Sequence, residues 1–154
     1  MRIVEYNTEL GENNLPILKK EKAVNFDINN LRTADNVVNM MNGIFKANVQ
    51  TEEHVWLLAF NTKINLLGVF EVAHGTVAHC DISPREIMLK SLLCGAVNIL
   101  LVHNHPSQDC FPSREDMTFT HRMKNVCDLM NIKLLDHIII GKGYISLFEK
   151  EMLK

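Results

Sequence analysis

A series of short apolar runs, alternating with segments of helical periodicity, most constrains how this chain can fold. Runs rich in β-branched and aromatic residues, bounded by Gly, Pro or Asn, predict β-strands. The predicted strands cover residues 55–60, 66–72, 96–102, 133–140 and 144–148. The polar segment 61–65 between the first two predicts a hairpin. Because some strands are neighbours in the chain and others are separated by helices, we predict an α+β domain whose mixed β-sheet is flanked by helices.

Three segments have apolar residues at helical spacing. They cover residues 33–46, 84–94 and 113–130. Thr33 can cap the first, Pro84 suits the first turn of the second, and Ser113 opens the third. These signals predict three helices between the strands.

Residues 1–32 have neither the apolar runs that predict strands nor the apolar spacing that predicts helices. They are rich in Asn, Glu and Lys, contain Gly11 and Pro16, and have only a brief apolar patch at residues 15–18. We therefore expect an irregular or loosely docked N-terminal arm over residues 1–32 and one domain over residues 33–154. A single core agrees with the length of 154 residues, because domains commonly contain ~100–150.

Composition excludes several classes of protein. With 47% hydrophobic and 22% charged residues, the chain is typical of a folded globular domain. No apolar run approaches the ~20 residues of a membrane-spanning helix, and the N-terminus has no apolar signal segment. We therefore expect a cytoplasmic protein. The four cysteines at positions 80, 94, 110 and 127 have no C-x-x-C spacing and are expected to be free thiols.

The charge balance argues against a dedicated nucleic-acid binder. Sixteen Lys and Arg against eighteen Asp and Glu give a net charge of −2. The dense basic run Lys19-Lys20-Glu21-Lys22 is short and contains an acid, so it fits a solvated face better than a phosphate-binding patch. We expect no strong direct binding to DNA.

The most informative motif is His-x-His at residues 103–105, followed after seven residues by Ser113 and after two more by Asp116. Side chains alternate along a strand, so His103 and His105 project to the same face at the end of a buried run. The intervening loop is long enough to return the start of the next helix to this strand end. Two histidines, one carboxylate and a water form an open tetrahedral site of the catalytic zinc type.

Each part of this motif has a simpler interpretation. Ser113 and Asp116 also have the spacing of a helix capping box. His103 and His105 can be strand-end histidines bonded to the backbone. The joint pattern, with four specified residues on a strand, a loop and a helix start, favours the metal-ligand interpretation.

The sequence resembles the JAB/MPN, or JAMM, metallopeptidase superfamily, and within it the RadC-type bacterial branch. The matching motifs are Pro84-Arg-Glu-Ile87, His103-Asn-His-Pro-Ser107, Pro112-Ser113, Asp116 and Leu135-Asp-His-Ile-Ile-Ile-Gly141. The resemblance covers residues 33–150. Gln108 stands where that branch typically has glycine, a departure that bears on the backbone geometry of the loop more than on the ligands. We also expect the helix-hairpin-helix segment that precedes the domain in longer members to be missing.

This resemblance implies a cytidine-deaminase-like layered fold and zinc-dependent hydrolysis of an amide or isopeptide bond in a peptide or protein. His103, His105 and Asp116 would hold the zinc. The family places a glutamate at the start of the first core strand as general base, and Glu53 fits best because Glu52 points to the opposite face. Glu71 and Glu86 lie in later elements. Ser113 would donate a hydrogen bond to the developing oxyanion.

Two alternatives complete the expectations. The domain can be a non-catalytic accessory or interaction module of DNA repair or recombination, whereas nucleobase deamination is rejected because its H-x-E and P-C-x-x-C motifs are absent. We expect His137 to be a neutral histidine paired with a neighbour rather than a fourth ligand, and Cys110 not to be a ligand.

Overall fold

The computed structural model describes residues 1–75 and 83–153, and in these residues a mixed seven-stranded β-sheet is accompanied by three α-helices. The strands are β1 (Arg2–Leu10), β2 (Pro16–Asn25), β3 (His54–Phe60), β4 (Leu66–His74), β5 (Asn98–Asn104), β6 (Lys133–Ile140) and β7 (Tyr144–Ser146). The helices are α1 (Ala34–Met40), α2 (Pro84–Leu93) and α3 (Arg114–Leu129). The predicted α+β class with a mixed sheet is confirmed.

The strands lie in the order β2-β1-β4-β3-β5-β6-β7. Parallel pairing joins β1 to β4 and β5 to β6, and the other neighbours are antiparallel. The predicted hairpin is β3–β4, and β5 starts two residues later than predicted and continues to Asn104. β5 is therefore an interior strand, with β3 on one side and β6 on the other.

The N-terminal segment differs from expectation. Instead of an irregular arm, its residues form a β-hairpin in which β1 pairs with β2 along its whole length and joins the sheet beside β4. In β1 only Ile3 is fully buried. The backbone ladder, rather than an alternating apolar pattern, therefore defines these strands, and hydrophobic periodicity could not detect them.

The first helix begins and ends as its sequence indicates. The hydroxyl of Thr33 accepts a hydrogen bond from the N–H of Asn36 at 3.3 Å. After α1 the chain continues as one π-helical turn, Met41–Phe45, and Lys46, at φ 57°, ends it in the left-handed conformation. The helical segment therefore extends close to the predicted limit of residue 46.

Side chains alternate between the two faces of the central strands, and each face has its own apolar core. On the α1 face the buried residues include Trp56, Leu58, Leu100, Val102, Val37, Met40 and Met41. On the face covered by α2 and α3 they include Leu57, Ala59, Ile99, Leu101, Ile87, Met88, Met123 and Cys127. By alternation His103 and His105 continue the row of Leu101 on the α3 face. Asn104 continues the row of Val102 on the opposite face.

Two expectations concern the environment of the chain. Cys94, Cys110 and Cys127 are free thiols, and Cys80 lies outside the described residues. Among the described residues, the helices lack the combination of length and apolar character that crossing a bilayer demands.

Candidate metal centre

The end of β5 and the first turn of α3 bring the three predicted ligands together. The Nε2 atoms of His103 and His105 lie 2.8 Å apart. One carboxylate oxygen of Asp116, Oδ1, lies 3.3 Å from Nε2 of His103, and the other, Oδ2, lies 3.3 Å from Nε2 of His105. Ligand atoms of the three residues fall within 4.8 Å of one another, so a single ion can contact all of them.

The loop after β5 is fixed against the end of β6. The N–H of His105 donates to the carbonyl of Ile140 at 2.7 Å, and the carbonyl of Gln108 accepts from Lys142 at 2.9 Å. Gln108 has φ 67°, a left-handed conformation that favours glycine. A Cβ on Gly141 would lie 2.6 Å from the Gln108 carbonyl, so only glycine permits this approach. Gln108 therefore adopts a backbone conformation that is typical of glycine.

The capping interpretation of Ser113 and Asp116 is confirmed, and it coexists with the cluster. The backbone N–H and the hydroxyl of Ser113 each donate to Asp116 Oδ2 at 2.7 Å. In return the N–H of Asp116 donates to Ser113 Oγ at 3.0 Å. The capping box therefore orients the carboxylate towards the histidines.

A chain of hydrogen bonds fixes the tautomer of His103. The hydroxyl of Thr120 donates to the backbone carbonyl of Asp116 at 2.6 Å, so its oxygen must accept from Nδ1 of His137, also at 2.6 Å. Burial lowers the pKa of His137 to about 3, so the ring is neutral; with its proton on Nδ1, its Nε2 is an acceptor. That atom lies 2.8 Å from Nδ1 of His103, which must donate. A neutral His103 thus presents its Nε2 lone pair to the cluster.

His105 is oriented in the same way. Its Nδ1 lies 2.7 Å from the carbonyl of Asp109, which can only accept, so the proton is on Nδ1. Both histidines therefore direct Nε2 towards the Asp116 carboxylate. Two imidazole nitrogens and one carboxylate are ligands that zinc takes in open sites, and the donor set fits this metal.

The electrostatics of the cluster favour a cation. Burial alone would raise the pKa of Asp116, but the hydrogen bonds that His103 and His105 donate through Nε2 when they are protonated outweigh it and hold the pKa far below its usual value. Burial would lower the pKa of His105, but in its protonated form the hydrogen bond to Asp116 and the bond to the Asp109 carbonyl reverse the shift and raise it. Protons and a metal ion compete for the same histidine lone pairs, as is usual for such ligands.

Glu53 lies at the edge of this cluster. It is half-buried immediately before β3, and its charge contributes to the raised pKa of His105. The buried amide of Asn104 holds the backbone on both sides of it: the N–H of His54 donates to Asn104 Oδ1 at 2.8 Å, and Asn104 Nδ2 donates to the carbonyl of Glu52 at 2.9 Å. The middle residue of the His-x-His motif thereby fixes the glutamate-bearing segment beside the histidines.

The other candidate glutamates have different partners. Glu52 contacts His74, and Glu71 lies 3.2 Å from Nδ1 of His54. Glu86 forms ion pairs with Arg85 and Lys90. Of the carboxylates considered as the base, Glu53 is the one whose charge is among the main contributions to the raised pKa of His105.

Sequence reasoning missed two residues that support the cluster. Asn104 could have been found from strand alternation, which places it on the face opposite the histidines, next to the start of β3. Thr120 follows Asp116 by one helical turn and so lies on the same side of α3. The pairing of His137 with a neighbour, which was expected, is confirmed.

The fold is α+β with a mixed sheet, and an interior strand leads into the His-x-His motif, which faces an aspartate in the first turn of a helix. Together these features define a domain of the JAB class. Residues 31–152 match the model of the RadC-like JAB domain family. The chain belongs to this family.

Similar curated proteins include bacterial proteins named UPF0758 protein. That of Carboxydothermus hydrogenoformans is 41% identical over 119 residues, which are 77% of this chain and 52% of the relative. That of Actinobacillus pleuropneumoniae serotype 5b is 37% identical over 112 residues, covering 71% and 51%, and that of Clostridium kluyveri is 42% identical over 103 residues, covering 66% and 45%. The chain therefore spans about half the length of these relatives.

Proposed function

We propose that this domain is a zinc-dependent hydrolase that cleaves an amide or isopeptide bond in a peptide or protein. The observation that best supports it is the convergence of His103 Nε2, His105 Nε2 and the Asp116 carboxylate, with both histidine tautomers fixed from behind. Zinc held by these residues would polarise the scissile carbonyl and lower the pKa of a water molecule.

Glu53 is the proposed general base. A base must accept a proton from the attacking water and return it to the leaving amine without binding the metal itself. Two observations support this role: the charge of Glu53 contributes to the raised pKa of His105, and Glu53 is not one of the three residues whose ligand atoms converge. Its backbone is fixed by Asn104, which limits how far the carboxylate can move.

Ser113 is the proposed hydrogen-bond donor to the oxyanion. Its hydroxyl donates to Asp116 Oδ2, so it would have to rotate towards the substrate carbonyl for this role. The backbone N–H of Ser113 also donates to that oxygen at 2.7 Å and would keep Asp116 oriented during the rotation.

The decisive experiment compares zinc-loaded wild-type protein with Glu53→Gln on a mixed-sequence peptide library that includes isopeptide-linked members, with cleavage read by mass spectrometry. The amide keeps the size of the side chain but cannot take the proton, so turnover should fall ~10²-fold to 10⁴-fold while the zinc content stays unchanged. Glu12→Gln, an exposed site in the β1–β2 turn, is the matched control. Full turnover in Glu53→Gln would refute the assignment of Glu53 as the general base. Absence of cleavage by zinc-loaded wild type would count against the proposed hydrolase activity.

The ligand assignment is tested separately by zinc content after dialysis against a mild chelator. Ala at position 103, 105 or 116 should reduce tightly bound zinc from about one equivalent to well below half, because each change leaves two ligands. Unchanged zinc in all three variants would refute the assignment.

A further inference from the structure

A second cluster of metal-binding side chains lies on the other face of the sheet. His54 and His74 are directly opposite each other on β3 and β4, and their rings stack with centroids 4.2 Å apart. Nε2 of His74 contacts the carboxylate of Glu52. Ligand atoms of Glu52, His54 and His74 all lie within 4.8 Å of one another.

A β-bulge brings a fourth residue to this cluster. Val55 pairs with Ala73, but Trp56 pairs with Glu71, so the residue between the two partners is extra. Residues three apart in a regular strand face opposite sides, and a bulge changes this alternation. As a result Glu71 Oε1 lies 3.2 Å from Nδ1 of His54 and 3.9 Å from Nδ1 of His74.

The hydrogen bonds prepare His54 as a ligand. An ionised Glu71 can only accept, so Nδ1 of His54 carries the proton and its Nε2 lone pair is available. A carboxylate behind a ligating histidine is the usual arrangement in metal sites. The ring of His54 also stacks on Trp56, with centroids 5.4 Å apart and 10° between the planes, which restricts its rotation.

The surroundings are negatively charged. A groove between β1 and the end of β4 is lined by three glutamates, Glu5, Glu21 and Glu71, together with His74. Burial and the charge of Glu71 raise the pKa of Glu5, which shows that these carboxylates interact. Such a field lowers the free energy of a nearby divalent cation.

We propose that Glu52, His54 and His74 form a second binding site for a divalent transition metal, with Zn²⁺ the best fit, and that Glu71 holds His54 in the ligating tautomer. Two imidazoles and a carboxylate suit zinc and copper better than magnesium or calcium, which prefer oxygen ligands. The side chains of Glu52 and His74 are about half exposed, which leaves coordination positions for water and makes this site weaker than that of His103, His105 and Asp116. The inference does not depend on the proposed hydrolase activity.

The same contacts also suit two ordinary histidine–glutamate pairs, so the test must count metal ions. Zinc titration of the full chain against a chromophoric chelator should show two equivalents, one tight and one weaker. The double variant His103→Ala/Asp116→Ala should retain the weaker one. Adding His74→Ala should weaken that remaining binding at least ~10-fold, because it removes a ligand. His121→Ala, which removes an exposed histidine of α3, is the matched control and should leave both sites intact.

A second measurement identifies the ligands. Electron paramagnetic resonance of Cu²⁺ bound to the double variant should show coupling to two imidazole nitrogens, reduced to one by His74→Ala. Should the double variant fail to fold, His74→Ala in the wild-type background must still lose the weaker equivalent and keep the tight one. One equivalent in wild type, or two in His74→Ala, overturns the second site and leaves the first untouched.

Discussion

Nδ1 of His103 lies 2.8 Å from Nε2 of His137, and this contact determines which nitrogen of His103 faces the ligand cluster. His137 is completely buried and, with a pKa lowered to about 3 by burial, stays neutral throughout the physiological range. Its orientation depends in turn on Thr120. A series of buried hydrogen bonds that begins at Thr120 on α3 therefore holds His103 in its ligating orientation.

Thr120→Val should weaken zinc binding by about 10-fold to 100-fold, the usual effect of losing a residue that orients a metal ligand. Valine has nearly the same shape but cannot accept from His137, so the tautomer of His103 is no longer fixed. Chelator competition measures the affinity. Thr120→Ser keeps the hydroxyl and should bind zinc nearly as wild type does. Equal affinity in the valine and serine variants would show that the chain does not orient His103.

Asn104→Ala should reduce peptide cleavage roughly 10²-fold while zinc remains bound, because small displacements of a catalytic group carry such penalties. The change frees the N–H of His54 and the carbonyl of Glu52, so the backbone of Glu53 keeps the bond from the Gly75 N–H but is held less firmly. Hydrogen exchange at the His54 amide should accelerate in parallel. Asn104→Asp keeps the acceptor for that amide, so the amide should remain protected. Unchanged exchange in Asn104→Ala would contradict the role assigned to this side chain.

Gln108→Gly should stabilise the protein by roughly 0.5–1 kcal/mol, because φ 67° is unfavourable for any residue with a Cβ. Chemical denaturation measures the free energy of unfolding. The matched control is Gln50→Gly, at φ −68°, which should destabilise because glycine adds freedom to the unfolded chain and removes the hydrogen bond from Gln50 Nε2 to the Phe45 carbonyl. A loss of stability in both variants would mean that the loop bears no strain at Gln108.

Asp136→Ala should destabilise the fold by about 3 kcal/mol, since it leaves the buried N–H of His137 and the partly buried N–H of Phe148 without their acceptor. Asp136→Asn should be much milder, because the amide can accept from both and donate to Ser146. Burial raises the pKa of Asp136 above its usual 3.8, so the folded state binds this proton more tightly than the unfolded state. That contribution is complete below pH 3.8 and is lost as the pH rises through the folded-state pKa.

The free energy of unfolding of wild type, relative to Asp136→Asn, should therefore fall as the pH rises above about 3.8. Denaturation of both proteins across this range checks it. If the free energy of unfolding of wild type relative to Asp136→Asn instead rises with pH, the hydrogen bonds to Asp136 outweigh the effect of burial on its pKa.

Duplex DNA should bind more weakly than ~1 µM at ~150 mM salt, because non-specific affinity depends on released counterions and the chain has a net charge of −2. Of the basic run at residues 19–22, Lys19 already pairs with Glu9. Fluorescence anisotropy with a labelled duplex measures the dissociation constant. Sub-micromolar binding would favour the accessory role in DNA repair over the hydrolase.

Much of the fold was predictable because the central strands are long apolar runs ended by polar or glycine residues. The prediction for residues 133–140 coincides with β6. β1 and β2 were missed because their stability comes from backbone pairing, and strands with mostly exposed side chains have no apolar periodicity.

The metal cluster was predictable because strand alternation and a helix start place three specified residues near one point. The second cluster was not, since its assembly depends on a bulge in β4 and on pairing between β3 and β4. Neither Glu71 nor His74 has a spacing that distinguishes it from an ordinary surface residue. The hydrogen bonds that link Thr120, His137 and His103 likewise join α3, β6 and β5, which only the folded structure brings into contact.

Because β2 is the outermost strand of the sheet, the basic run at residues 19–22 has an effect unrelated to nucleic acids. An unpaired edge strand is a template on which a second molecule can add its own strand, and this is one route to aggregation. The lysines of β2 are exposed on that edge and would bring like charges together if two copies met there. At the other edge, β7 is only three residues long and presents little backbone. In the part of the chain that the structure describes, both edges of the sheet are thus poor templates for adding another strand.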